Sequence, residues 1–108
     1  LTYLSFNAGV TNIVINSGET PEKFSLSQNY PNPFNPVTQI SYTIKREGFV
    51  SLKVYDAIGR EAASLVNSVQ LPGSYTIEFY GTKYQSGVYF YRLKVGDFSD
   101  TKSMVLIK

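Results

Sequence analysis

The sequence predicts an all-β fold, two antiparallel sheets packed face to face, and three observations carry that prediction. Apolar residues recur with a period of two through most of the chain, and no segment keeps a helical i, i+3, i+4, i+7 apolar stripe. Turn signals separate the alternating runs roughly every 8 to 12 residues, the spacing of a sandwich or small barrel. Nine Tyr and seven Phe, with no Trp, join many Val, Ile and Thr in favouring a pleated, half-buried surface. At 108 residues, 43% hydrophobic and 17% charged, the chain makes one domain with enough apolar surface to offset its ordering entropy. A closed barrel is the structural rival.

Residues 1–15 read as a strand-like extension, in which Leu4, Phe6, Ala8 and Val10 alternate with Ser5, Asn7, Gly9 and Thr11 ahead of Ile13-Val14-Ile15. Residues 16–22 are a polar linker punctuated by Gly18 and Pro21, so the domain proper spans 23–108. Phe24 and Leu26, alternating with Ser25 and Ser27, mark its first strand. Pro31, Asn32, Pro33, Phe34, Asn35 and Pro36 follow; the three prolines stiffen an extended path and remove three backbone donors. This segment is expected to be a strap that joins no regular ladder, leaving an unpaired edge as a docking surface.

Gln39 to Lys45 places Ile40, Tyr42 and Ile44 on one face, and Phe49 to Tyr55 does the same with Val50, Leu52 and Val54. Joined by Arg46-Glu47-Gly48, the two runs are expected to pair as an antiparallel hairpin. Asp56-Ala57-Ile58-Gly59-Arg60 reads as a type I turn closed by a left-handed Gly, with Asp56 and Arg60 as a charge pair, before a short strand over Glu61 to Val66. Leu71-Pro72-Gly73 turns the chain into Ser74 to Tyr80, where Tyr75, Ile77 and Phe79 share a face. Val88 to Val95 is apolar on both sides, as a central strand covered on both faces would be; Tyr89 and Tyr91 are its core and corner aromatics. Gly96-Asp97 is a two-residue hairpin loop leading to the last strand, Phe98 to Ile107. Seven strands in two sheets, with an extra N-terminal strand segment, describe an immunoglobulin-like antiparallel β-sandwich.

The residues that are missing exclude much chemistry. Without His or Cys the chain builds no Ser-His-Asp triad, no Cys nucleophile and no His-ligated metal site. Its acids, Glu19, Glu22, Glu47, Asp56, Glu61, Glu78, Asp97 and Asp100, mostly lie beside Gly or at strand ends, where turns are solvated. We therefore assign no catalytic residue, no metal and no cofactor, and expect no enzyme. The net charge of +2 is scattered, with no cluster longer than Lys45-Arg46, which argues against nucleic acid as a partner. No apolar run is long enough to span a membrane, and residues 1–20 lack the pattern of a secretory signal. A start at Leu1 rather than Met suggests a processed product or a fragment.

Several separated motifs then form a recognisable series. Asn29-Tyr30-Pro31-Asn32-Pro33-Phe34-Asn35-Pro36, Val54-Tyr55-Asp56-Ala57-Ile58-Gly59-Arg60, Pro72-Gly73-Ser74-Tyr75, Ser86-Gly87-Val88-Tyr89-Phe90-Tyr91-Arg92-Leu93 and Lys102-Ser103-Met104-Val105-Leu106-Ile107-Lys108 occur in one order. Residues 22–108 thereby resemble the type A C-terminal sorting domain of the type IX secretion system, and are also similar to the Ig-like domain of the flagellar hook-cap protein. The resemblance implies a Gram-negative, Bacteroidetes- or Chlorobi-like host, passage through the periplasm, and delivery to the cell surface or medium. It implies two partners, an outer-membrane translocon and a sortase-like surface protease. It also points to Lys102, Met104, Val105, Leu106, Ile107 and Lys108 as the segment the translocon reads.

Two other readings stay open. Leu4, Phe6, Ala8 and Val10 could be donated to the next copy of the chain, making a head-to-tail filament or surface layer. Alternatively Tyr3, Tyr30, Tyr80 and Tyr84 could stack on sugar rings in a carbohydrate-binding module.

Overall fold

The structure, a computed structural model, describes Ile13–Val14 and residues 21–108. Its strands are β1 (Ile13–Val14), β2 (Ser25–Leu26), β3 (Val37–Ile44), β4 (Gly48–Tyr55), β5 (Glu61–Gln70), β6 (Gly73–Tyr80), β7 (Gly87–Val95) and β8 (Phe98–Leu106). They form two four-stranded sheets, ordered β1-β6-β3-β2 and β5-β4-β7-β8, and every pairing is antiparallel. β2 to β8 are the seven strands expected. β1 is the added segment, with Ile13 opposite Tyr75 and Val14 opposite Ser74.

The core lies between the sheets and takes alternate residues from each. Ile40, Tyr42 and Ile44 of β3 meet Val50, Leu52 and Val54 of β4, Tyr91 and Leu93 of β7, and Met104 and Leu106 of β8, all essentially without solvent exposure. Each large aliphatic side chain buried this way contributes about 1.5–3 kcal/mol. The tyrosines bury their rings and still satisfy their hydroxyls. Tyr42 stacks on Tyr75 at 5.3 Å and donates to Gln70 Oε1, while Tyr75 donates to the Leu71 carbonyl at 2.6 Å. Tyr89 donates to the carbonyl of Gln85, four residues upstream, at 2.7 Å, which is the tyrosine corner of immunoglobulin-like sandwiches.

Three local expectations are corrected. β3 and β4 do not form a hairpin: β3 pairs with β6 over its whole length and β4 with β5 and β7, so residues 45–47 cross from one sheet to the other. Two strands that each bury one face satisfy the same alternation side by side or across the core, and here they face each other. β5 runs on to Gln70 rather than ending at Val66. β7 is central but covered on one face only. Its Tyr89, Tyr91, Leu93 and Val95 are buried, whereas Val88, Arg92 and Lys94 are exposed, because among the described residues no third layer lies over this sheet.

Candidate functional site: the strap and the last strand

After β2, the chain changes sheets. Ser27 N donates to Ser41 O at 2.9 Å, and Tyr30 and Gln39 exchange backbone hydrogen bonds at 2.9 and 3.0 Å, so the segment first follows β3. It then crosses to the outer edge of β8. There Phe34 N donates to Val105 O and Ile107 N donates to Phe34 O, both at 2.9 Å, forming a parallel bridge. Val105 N donates to Asn32 Oδ1 at 3.0 Å, and Gln28 Nε2 donates to Ser103 O at 2.6 Å. As expected, the proline segment enters no ladder. Contrary to expectation, it does not leave the edge unpaired: it occupies the edge of β8 itself, because the prolines alternate with residues that keep their N–H groups or offer a side-chain acceptor.

Two anchors hold this crossing. Asn29, only 2% exposed, donates from Nδ2 to Thr38 Oγ1 at 2.9 Å and to Pro31 O at 3.1 Å, and the Thr38 hydroxyl donates to the same carbonyl at 2.8 Å. Burying these polar groups is tolerable because each is satisfied. The second anchor is the Phe34 ring, 2% exposed and packed edge-on against Phe79 at 6.0 Å. Gly81 makes room for it, since a Cβ there would sit 3.0 Å from Leu106 Cδ2 and 3.2 Å from Phe34 Cε2. Gly81 N also donates to Pro36 O at 2.7 Å, which ends the strap.

The terminal segment divides by burial. Met104 and Leu106 are core residues, Lys102 and Val105 are half-buried, and Ile107 (50%) and Lys108 are exposed. Lys108 is tied back by its N–H to Ser86 Oγ at 2.9 Å and by Nζ to the Thr82 carbonyl. In the strap, Pro31, Asn32, Pro33 and Asn35 are exposed and Phe34 is not. The two segments singled out separately in the sequence are thus joined into one surface, on which Asn32, Pro33, Asn35, Ile107 and Lys108 are exposed. Next to Lys108, which bonds to Ser86, an open groove of about 630 Å³ lies between the 56–60 turn and residues 83–89, with Ile58, Lys83, Ser86 and Val88 in its lining.

The turn itself is built as expected. Gly59 has φ 92°, Asp56 Oδ1 accepts from the N–H groups of Ile58 and Arg60 at 3.1 and 2.9 Å, and Arg60 Nε donates to Oδ2 at 2.8 Å. The Arg60 N–H and the guanidinium hold the Asp56 carboxyl below its ordinary value. Tyr91 donates to Ser27 O at 2.7 Å, at the root of the strap; burial, with nearby Asp100, pushes its hydroxyl up to about 12.

Other candidates are dispersed. Leu4, Phe6, Ala8, Val10 and Tyr3 lie outside the described residues. Tyr30 and Tyr80 are exposed, but Tyr84 stacks on Phe79 at 5.6 Å and donates to Ala62 O at 3.1 Å, inside the packing. No helix among the described residues is long and apolar enough to cross a membrane. Sequence reading missed Gln28, Asn29, Thr38 and Gly81 as the residues that seat the strap. Thr38 carried a signal, as the one polar residue on the apolar side of β3 in step with Ile40 and Tyr42; Gly81 carried none.

A family model described as "Secretion system C-terminal sorting domain" matches residues 28–108, starting at the first strap residue to bond with β8. No curated protein and no solved structure matches the chain.

Proposed function

The chain belongs to the secretion-system C-terminal sorting-domain family, and on that premise we propose that the strap and the last strand together are the surface its translocon reads. The family places the domain on type IX export to the cell surface or medium of a Gram-negative, Bacteroidetes-type bacterium. The outer-membrane translocon is the partner, and a sortase-like surface protease acts after passage. The observation that carries this reading is the bonding of Asn32 and Phe34 to Val105 and Ile107, which makes the terminal motif and the proline motif a single folded epitope. An unfolded tail would present the same letters without that shape. Within the epitope, Met104, Leu106 and Phe34 act by holding it together, and Asn32, Pro33, Asn35, Ile107 and Lys108 are the atoms a partner can touch.

Deleting residues 101–108 would remove core side chains along with the signal, so the discriminating test uses surface substitutions. A fluorescent cargo carrying the full chain is expected to reach the medium, and the Ile107→Asp, Lys108→Glu double variant is expected to hold it in the periplasm. Circular dichroism and thermal melting of the purified variant check that it folds. Normal secretion of the folded double variant would refute this reading.

A further inference from the structure

The four sheet edges are not treated alike. β1 and β2 are two residues each, and on β8 the strap bonds to Ser103, Val105 and Ile107, with Asp100 and Lys102 adding charge upstream. β5 is different. It is ten residues long, has no strand on its outer side among the described residues, and carries no charged side chain from Ala62 through Gly73. Its register shifts against β4 fall at Leu52/Lys53 and Val54/Tyr55, so the first half is bulged while Val66 to Gln70 runs straight. Bulges and charges are the usual means by which an edge resists pairing, and this half has neither. Val69 (60% exposed) lies directly opposite Phe49 (54%), and Leu71 (54%) extends the same apolar strip.

We propose that this edge pairs with the same edge of a second copy, antiparallel across a two-fold axis at Val69, joining two four-stranded sheets into one. A two-fold contact brings each stripe against itself, so any charge on it would meet its like. The uncharged stretch from Ala62 to Gln70 meets that condition, and it offers no counter-charge to an acidic or basic partner. Antiparallel partners share a face. An axis at Val69 therefore sets Val69 on Val69, Asn67 on Leu71 and Ser68 on Gln70, with a Phe49 ring on either side of the valine pair. Five straight residues a copy are far fewer than the roughly 20–30 a side of a standard interface, so the dimer is weak and depends on concentration.

The chain has no cysteine, so Val69→Cys on β5 and Thr101→Cys on β8 each introduce a single thiol. Sedimentation of the full chain over rising concentration is expected to climb toward the mass of two copies, and Val69→Lys to weaken that association roughly tenfold or more without changing the circular dichroism. Under mild oxidation Val69→Cys is expected to form disulfide-linked dimers well ahead of Thr101→Cys. A chain that stays monomeric at millimolar concentration, or a Val69→Cys variant that links no faster than Thr101→Cys, overturns the proposal. So does association that survives Val69→Lys and is lost with Phe6→Asp, which would assign the pairing to the N-terminal segment instead.

Discussion

The two outer strands of the second sheet are held in place by opposite means. At β5 the chain simply turns back on β4, with the intervening turn at residues 56–60, and the register is local in sequence. At β8 the closing segment comes from some 70 residues upstream: Gln28 reaches Ser103, a separation of 75, and Asn32 reaches Val105, a separation of 73. A locally closed flank depends on its own turn. A remotely closed one depends on everything that brings the two segments together, so it reports on the integrity of the whole sandwich. That property suits the role proposed for this surface, recognition of a finished domain.

The contrast can be broken first at its anchor. Phe34→Ala is expected to cost about 3–5 kcal/mol in urea unfolding, as other large-to-small aromatic changes in cores do. The exposed Val69→Thr on the opposite flank should stay within roughly 0.5 kcal/mol. Equal effects of the two would show that the strap ring is not an anchor. Next in size, Gly81→Ala must push Leu106 and Phe34 by a few tenths of an ångström in a filled space, at about 1–3 kcal/mol. Because the added methyl acts on the strap, the amides of Val105 and Ile107 should lose protection from hydrogen exchange while those of β5 do not change.

A smaller effect is pH-dependent. The Tyr91 hydroxyl is raised in the folded state, so the stability it contributes is complete below the unfolded tyrosine value near 10 and is lost as pH rises from there toward about 12. Tyr91→Phe should flatten that alkaline limb in pH-dependent unfolding, while also loosening the Ser27 root of the strap. The smallest change expected is at the local flank. Asp56 is lowered in the fold, so its contribution is present above the ordinary carboxylate range and is lost as pH falls through its lowered folded value. Asp56→Asn should shallow the acid limb only slightly and leave Val105 and Ile107 protection untouched.

Much of this was legible in the residues. Ile40, Tyr42 and Ile44, and Val50, Leu52 and Val54, announced their inward faces by alternation, and all six are buried. Asp56 and Gly59 announced their turn through turn chemistry that acts over four residues. What alternation does not carry is which strand lies beside which, and the expected β3–β4 hairpin failed for that reason. The Pro31 to Pro36 segment declared that it could not be a ladder strand, yet nothing in it named β8 as the surface it would close.

By itself, then, the sequence determined the all-β class, the inward faces of β3 and β4, the 56–60 turn and the motif order that marks a sorting domain, because these depend on side-chain period and on backbone preferences within a few residues. Only the tertiary structure decided that Asn29 and Thr38 clasp the Pro31 carbonyl, that Phe34 fills the space Gly81 leaves, and that the strap lies along the β8 edge of the sheet while no strand among the described residues lies along the β5 edge. Those are contacts between residues far apart in the chain, set by how two sheets meet and not by any local preference.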